Sequence, residues 1–261
     1  MVAVTSLLVV RAAMAVRVEG LVSLPDEVGY LGNAWLLGRG EPAPPMAFSP
    51  FYAPGLGVVL APVAAVVEDP GRIQAIARLV DVALLAAVVP VLAALLARFG
   101  RLSAPGRVLA ALVAAAAPGL WVASVTVWPD ALMALLWPLG LLALHRLARG
   151  GAGVGMIWFG PIVAALWVAH PRFLPVVLLG AMVLVLRLVW PGPGAGDAEG
   201  VRGRRSDLAN LGLGALVVLA GVWLDRRVGV RWEVEAPDAI ARTTDAPWDT
   251  ALGAMRALIG R

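Results

Sequence analysis

An all-α fold, a polytopic transmembrane helical bundle of about seven spans, is predicted by three observations on the sequence. Of the 261 residues, 61% are hydrophobic and 15% charged, with a mean hydropathy of +0.86, whereas a soluble domain is about 45–50% apolar and about 25% charged. Long apolar runs recur from residue 79 to residue 224, and a hydrocarbon core about 30 Å thick needs about 20 such residues per helix. The connections between these runs alternate between basic and acidic, the pattern that orients membrane helices with their arginines in the cytoplasm.

Taken in order, residues 2–22 form a first, imperfect span in which Arg11 and Arg17 must snorkel or pair. Residues 23–50 break the apolar pattern with Pro, Gly, Asp26, Glu27 and Glu41 and read as a long, mildly acidic first outer loop. Residues 51–67 are apolar, short and carry two prolines, which suits a re-entrant or juxtamembrane helix. Clearer spans follow at residues 79–97, 108–127, 131–144, 154–169, 173–190 and 208–224, with Pro138 and Pro161 expected to kink theirs.

Arg98, Arg101, Arg107, Arg146, Arg149, Arg187, Arg202, Arg204 and Arg205 fall in one set of connections, and Asp26, Glu27, Glu41, Glu68, Asp69 and Asp130 in the other. The positive-inside rule then puts the 23–50 loop outside the cytoplasm. Residues 191–207 read as a flexible cytoplasmic linker, so residues 1–224 form the transmembrane module. Residues 225–261 form an outer polar segment whose end, 248–261, reads as an amphipathic or juxtamembrane helix. A further span would follow it naturally, so the chain reads as the front part of a longer protein.

Composition also removes several functions. There is no Cys, which excludes disulfides, thiolate nucleophiles and cysteine-ligated metals. All 21 basic residues are Arg, which with the abundance of Ala, Gly, Pro and Val fits a GC-rich bacterial coding bias and a multi-pass protein of the bacterial plasma membrane. The pI of 10.8 therefore reports on topology, and no nucleic-acid partner is expected. No Walker loop and no HExxH motif is present, and the GAGVG at residues 151–155 lacks the preceding strand of a dinucleotide site.

A few polar residues remain that could carry chemistry. Asp26 and Glu27 are adjacent carboxylates just beyond the first span; such a pair shares a proton, holds a divalent cation such as magnesium or manganese, or supplies a general base. The plainer alternative is a solvated loop pair. Asp130, after Pro129, is placed either to cap the next helix or to face a cavity on the same outer side as Asp26. Arg172 sits at an outer boundary, where an isolated cation either snorkels to headgroups or receives a phosphate. Arg78 and Asp81, three residues apart, are expected to face one another as an ion pair. Tyr30 and Trp35 fit the interfacial aromatic belt. His145 belongs to a basic cluster, and His170 reads as an interfacial polar residue.

The order of these features resembles the membrane-embedded GT-C superfamily of glycosyltransferases, including the protein O-mannosyltransferases and the lipid A aminoarabinose transferases. LPDEVGYLGNAWLLG (24–38) is similar to the acidic motif of that superfamily's first outer loop, with Asp26 or Glu27 in the acidic place. SPFYAPGLGVVLAP (49–62) resembles its Pro-containing juxtamembrane segment, and residues 69–100 look like the next span with a basic cytoplasmic end. VWPDALMALLWPLGLLAL (127–144) is similar to the stretch bearing a second outer acidic residue, matched by Asp130. HPRFLPVVLLGAMVLVL (170–186) resembles a helix start with a basic residue, matched by Arg172. The resemblance covers about residues 20–190.

It implies transfer of a sugar from a polyprenyl-phosphate-linked donor in the lipid bilayer to an extracytoplasmic acceptor. Asp26 would deprotonate or orient the acceptor hydroxyl, and Glu27 would support it or help hold a cation. Arg172 with Arg78 would stabilise the departing phosphate, the apolar face of residues 51–67 would receive the lipid tail, and Tyr30 and Trp35 would face the sugar if they do not belong to the aromatic belt. Two rival classes stand beside this one. A transporter or flippase would use Pro-broken helices and intramembrane charges such as Asp81, and a noncatalytic scaffold would pack through small-residue helix faces.

Overall fold

The computed structural model describes residues 2–18, 26–40, 52–99, 101–149, 157–189 and 198–235. Among these the chain is all-helical: α1 (Val2–Arg17), α2 (Asp26–Arg39), α3 (Pro54–Val66), α4 (Pro70–Phe99), α5 (Ala104–Ala115), α6 (Pro118–Val122), α7 (Asp130–Ala148), α8 (Phe159–Ala169), a 3-10 turn (Pro171–Phe173), α9 (Leu174–Val189) and α10 (Ala198–Glu235). Four segments among the described residues are long and apolar enough to cross a membrane: Pro70–Phe99, Asp130–Ala148, Pro171–Val189 and Arg205–Arg226. The chain is a membrane protein.

Several expectations are corrected. Residues 26–39 of the supposed outer loop are a helix, α2, which carries Asp26 and Glu27 in its first turn and Arg39 in its last, as the helix dipole favours. Its glycines and Asn33 dilute the helical signal, but tertiary packing overrides that weak prior: Tyr30, Leu31 and Ala34 join Leu56 and Leu60 of α3 and Ile73 of α4 in one core cluster. The expected span at 108–127 is broken at Ala116–Ala117, before Pro118 restarts the chain as α6. Pro161 is the third residue of α8, where its missing N–H costs nothing, so it does not interrupt a helix; Pro138 does lie inside α7. The expected linker at 191–207 is helical from Ala198 onward, and α10 continues to Glu235. Residues 151–155, 191–197 and 236–261 lie outside the described residues.

The bundle has two chemically distinct ends. At one, Val18, α2, the start of α4, the start of α7 and the turn before α9 meet, bringing Asp26, Glu27, Asp130 and Arg172. At the other, Phe99 stacks edge-on against His145 with centroids 4.8 Å apart, and Arg187 donates to Asp207 at 3.2 Å and to the Leu147 carbonyl at 2.9 Å. Arg11, the first charge inside an apolar helix, is buried: it donates to the Ala115 carbonyl where α5 ends and lies 4.8 Å from the Trp121 ring centroid. Thus the arginine expected to snorkel or pair satisfies a helix break.

Candidate functional site

The site is built on α2 and α3, which pack side by side running in the same direction, start against start and end against end. Arg39, in the last turn of α2, donates to the carbonyls of Ala64 at 2.8 Å and Val67 at 2.9 Å, capping the end of α3, and stacks on Trp35 at 4.5 Å. Trp35 is thereby held against Arg39. At the opposite end of the pair Tyr52 precedes α3 and its backbone carbonyl accepts from the Asn33 amide at 2.8 Å. The Tyr52 ring passes over Gly29 so closely that a Cβ there would lie 2.2 Å from a ring carbon. Only glycine lets the ring lie down, and that position delivers the Tyr52 hydroxyl to Asp26 Oδ1 at 2.8 Å. Tyr30 packs edge-on against Tyr52, centroids 5.0 Å apart.

Asp26 and Glu27, neighbours in sequence, have different surroundings. Asp26 is half-buried beside Tyr52. Glu27 is fully enclosed: it accepts from the Val127 backbone N–H at 2.8 Å and from the Gln74 amide at 3.3 Å, and pairs with Arg78 at 3.7 Å. Arg78, 2% exposed, also donates to the Val18 carbonyl. This network ties α1, α2, α4 and the approach to α7 together, as a buried charge pair with extra hydrogen bonds can.

The expected Arg78–Asp81 pair does not form, because Arg78 turns to Glu27; Asp81 is 0% exposed and neither of its oxygens has a hydrogen-bond partner among the described residues. Asp130 opens α7 as its first residue, and the cap position belongs to Pro129, so the expected cap role passes to a residue without a side-chain acceptor. Among the described residues no three His, Asp or Glu side chains are placed to hold a metal ion. Asp26 is engaged by Tyr52 and Glu27 by Arg78.

Arg172 is exposed in the turn before α9. His170 shapes that turn: its Nδ1 accepts from the Arg172 backbone N–H at 3.2 Å. With Nδ1 accepting, the proton of the neutral ring sits on Nε2, leaving a donor there. Burial, then Arg172, holds the His170 pKa below its ordinary 6.5, with Asp130 opposing. The Tyr30 phenol is pushed up to about 12, first by burial and then by Asp26 and Asp130, with Arg172 opposing. Burial and the bond to Asp26 raise Tyr52 as well. These mutual influences place Asp26, Tyr30, Asp130, His170 and Arg172 in one electrostatic neighbourhood, with Glu27 and Arg78 forming the buried support for α2.

Tyr52 and His170 were missed as site residues by sequence reasoning. One signal was available for Tyr52: the chain has only two tyrosines, and the other is Tyr30. No protein-family model, curated protein or solved structure matches this chain.

Proposed function

We propose that this chain is an integral membrane glycosyltransferase of the GT-C type, moving a sugar from a polyprenyl-phosphate-linked donor to an acceptor on the extracytoplasmic face of a bacterial plasma membrane. The observation that carries the reading is one electrostatic neighbourhood: Asp26, which accepts from the Tyr52 hydroxyl, and Arg172, whose turn is shaped by His170, both act on the Tyr30 phenol. In the proposed topology α1, the broken pair α5–α6 and the short α8 complete seven crossings with the four long segments, and the Asp26 end faces outward.

In the reaction the acceptor hydroxyl oxygen bonds to the anomeric carbon as the bond from that carbon to the phosphate oxygen breaks. The hydroxyl proton passes to Asp26, and polyprenyl phosphate leaves. The Tyr52 hydroxyl holds one carboxylate oxygen and leaves the other for the acceptor. Arg172, aided by the His170 Nε2–H, stabilises charge growing on the phosphate. Glu27 and Arg78, enclosed in each other's company, act here as positioning residues.

The test is native mass spectrometry of the detergent-solubilised full chain offered polyprenyl phosphate, followed by a sugar-transfer assay. Wild type should retain the lipid and Arg172→Ala should lose it, while Asp26→Asn should lower transfer by roughly 10²–10⁴-fold. Equal transfer by Asp26→Asn, or no retention by wild type, sinks the proposal. One observation favours a second reading, a transporter or flippase: Asp81, buried and unpartnered among the described residues inside α4, is the kind of intramembrane charge that marks a transport path.

A further inference from the structure

Between α6 and α7 the chain leaves helical geometry for residues 123–129, and this stretch lies along α4. Two tie points fix it there. Glu27 Oε1 accepts from the Val127 N–H at 2.8 Å and lies 3.7 Å from the Arg78 guanidinium, so Val127 is held at the level of Arg78. Ala123 and Ala131, on either side of that point, pack with Leu85 and Val88. Arg78, Asp81, Leu85 and Val88 follow one another at spacings of three, four and three residues, which is one face of a helix, and all are buried. Asp81 therefore stands on the face of α4 that residues 123–131 cover, between the tip of that stretch at Val127 and its two feet.

The stretch is rich in oxygens with lone pairs to spare. The Ser124 hydroxyl spends its proton on the Leu120 carbonyl at 3.0 Å and the Thr126 hydroxyl on the Val122 carbonyl at 2.9 Å, so each keeps acceptor capacity and has no donor left. The backbone carbonyls of residues 124–127 accept no hydrogen bond among the described residues. Both Asp81 oxygens are likewise without a partner there, and Ser124 and Thr126 are as fully buried as Asp81 itself. An ionised carboxylate enclosed with no donor is costly. The charges that act on Asp81, those of Asp130 and Glu27, are both negative, and Arg78, one turn away on the same face, is committed to Glu27. The enclosure calls for a positive partner.

We propose that Asp81 and the oxygens of residues 124–127 bind a monovalent cation, with sodium the ion they suit. The donors are hard oxygens, with no sulfur or imidazole among them. One full negative charge, that of Asp81, faces the stretch, which matches a single positive charge and falls short of the several carboxylates that a divalent ion takes. Carbonyls of unwound backbone are a recurring means of holding sodium between membrane helices. Bound there, the ion ties α4 to the break before α7 and keeps Val127 where Glu27 reaches it. The site is independent of sugar transfer, and its failure leaves the transferase reading as it stands.

The test is thermal unfolding of the full chain in detergent, followed by tryptophan fluorescence, in sodium chloride or choline chloride at constant pH and ionic strength. Wild-type Tm should climb with sodium concentration, as a ligand of the folded state requires, and choline should give no rise. Asp81→Asn, which keeps the shape and removes the charge, should lose the sodium dependence and unfold at or above the temperature of wild type in choline. Ser124→Ala and Thr126→Val, each short of one oxygen, should need more sodium for the same rise. Asp26→Asn should respond to sodium as wild type does. Equilibrium dialysis with radioactive sodium should find one ion bound per wild-type chain and none in Asp81→Asn.

Identical wild-type Tm in sodium and choline overturns the inference and leaves Asp81 to be neutralised by a proton. Sodium dependence retained in Asp81→Asn, or lost in Asp26→Asn instead, puts the ion elsewhere and overturns it as well. If Asp81→Asn does not fold, the two hydroxyl variants carry the test, and a sodium response unchanged in both overturns the site.

Discussion

Removing the Glu27 carboxylate should destabilise the bundle more than removing any single exposed charge. In Glu27→Ala the buried Arg78 loses its counter-charge, Gln74 loses an acceptor, and the Val127 N–H loses the oxygen that accepts it at 2.8 Å. Breaking a buried ion pair by deleting one partner costs about 3–5 kcal/mol, and a stranded N–H about 1–3 kcal/mol. The two overlap, because the vacated space admits some relaxation, so a loss of about 4 kcal/mol is expected. For a chain of this size that lowers Tm by roughly 8–16 °C, at about 2–4 °C per kcal/mol. With 10 tryptophans the chain reports its own unfolding by intrinsic fluorescence in detergent. Glu27→Gln, which keeps an acceptor oxygen, should lose less, and the double variant with Arg78→Met should recover part of the loss, since removing both charges relieves the stranded one. A Glu27→Ala protein within about 0.5 kcal/mol of wild type, the range of an ordinary surface change, would refute the enclosed network.

Three further outcomes follow from the same end of the bundle. Because the only two tyrosines are both held protonated, ultraviolet titration of the folded chain should show no phenolate at pH 10, and the unfolded chain should show it there; a folded-state midpoint near 10 would contradict the packing of Tyr30 on Tyr52. The sign for stability is a loss as pH rises from about 10 toward about 12, where only the unfolded phenols release protons. His170 acts in the other direction: its folded pKa lies below 6.5, so stability falls as pH drops below about 6.5, and His170→Asn should flatten that limb of a Tm-versus-pH curve. Arg39→Ala should cost about 2 kcal/mol, through two lost charge-assisted bonds to the Ala64 and Val67 carbonyls, and Arg39→Lys should recover little because one ammonium cannot reproduce the fork; full recovery in thermal unfolding would argue against the cap on α3.

The membrane class and the all-helical architecture were legible without coordinates, since hydrocarbon accepts no unpaired backbone and the apolar runs announce that solvent. So was the gathering of Asp26, Asp130 and Arg172 at one end, because helices that cross and return bring alternate connections to the same side. The helical state of 26–39 was not legible: DEVGYLGNAWLLGR has the glycines of a loop, and only the fit of Gly29 beneath Tyr52 and of Leu31 and Ala34 against α3 makes a helix the better choice.

Pairing of charges was decided wholly in three dimensions. Spacing along α4 favours Arg78 with Asp81, a contact of one helical turn, but Glu27 is reached across 51 residues of sequence and brings a backbone N–H and an amide with it. The enclosure of Asp81 was equally hidden, since it comes from residues 123–131 packing along α4. Periodicity along one chain segment determines which solvent a helix meets. Which neighbour it meets, and what space remains between them, depends on side chains distant in sequence, and here those contacts separated Asp26, beside Tyr52, from its enclosed neighbour Glu27.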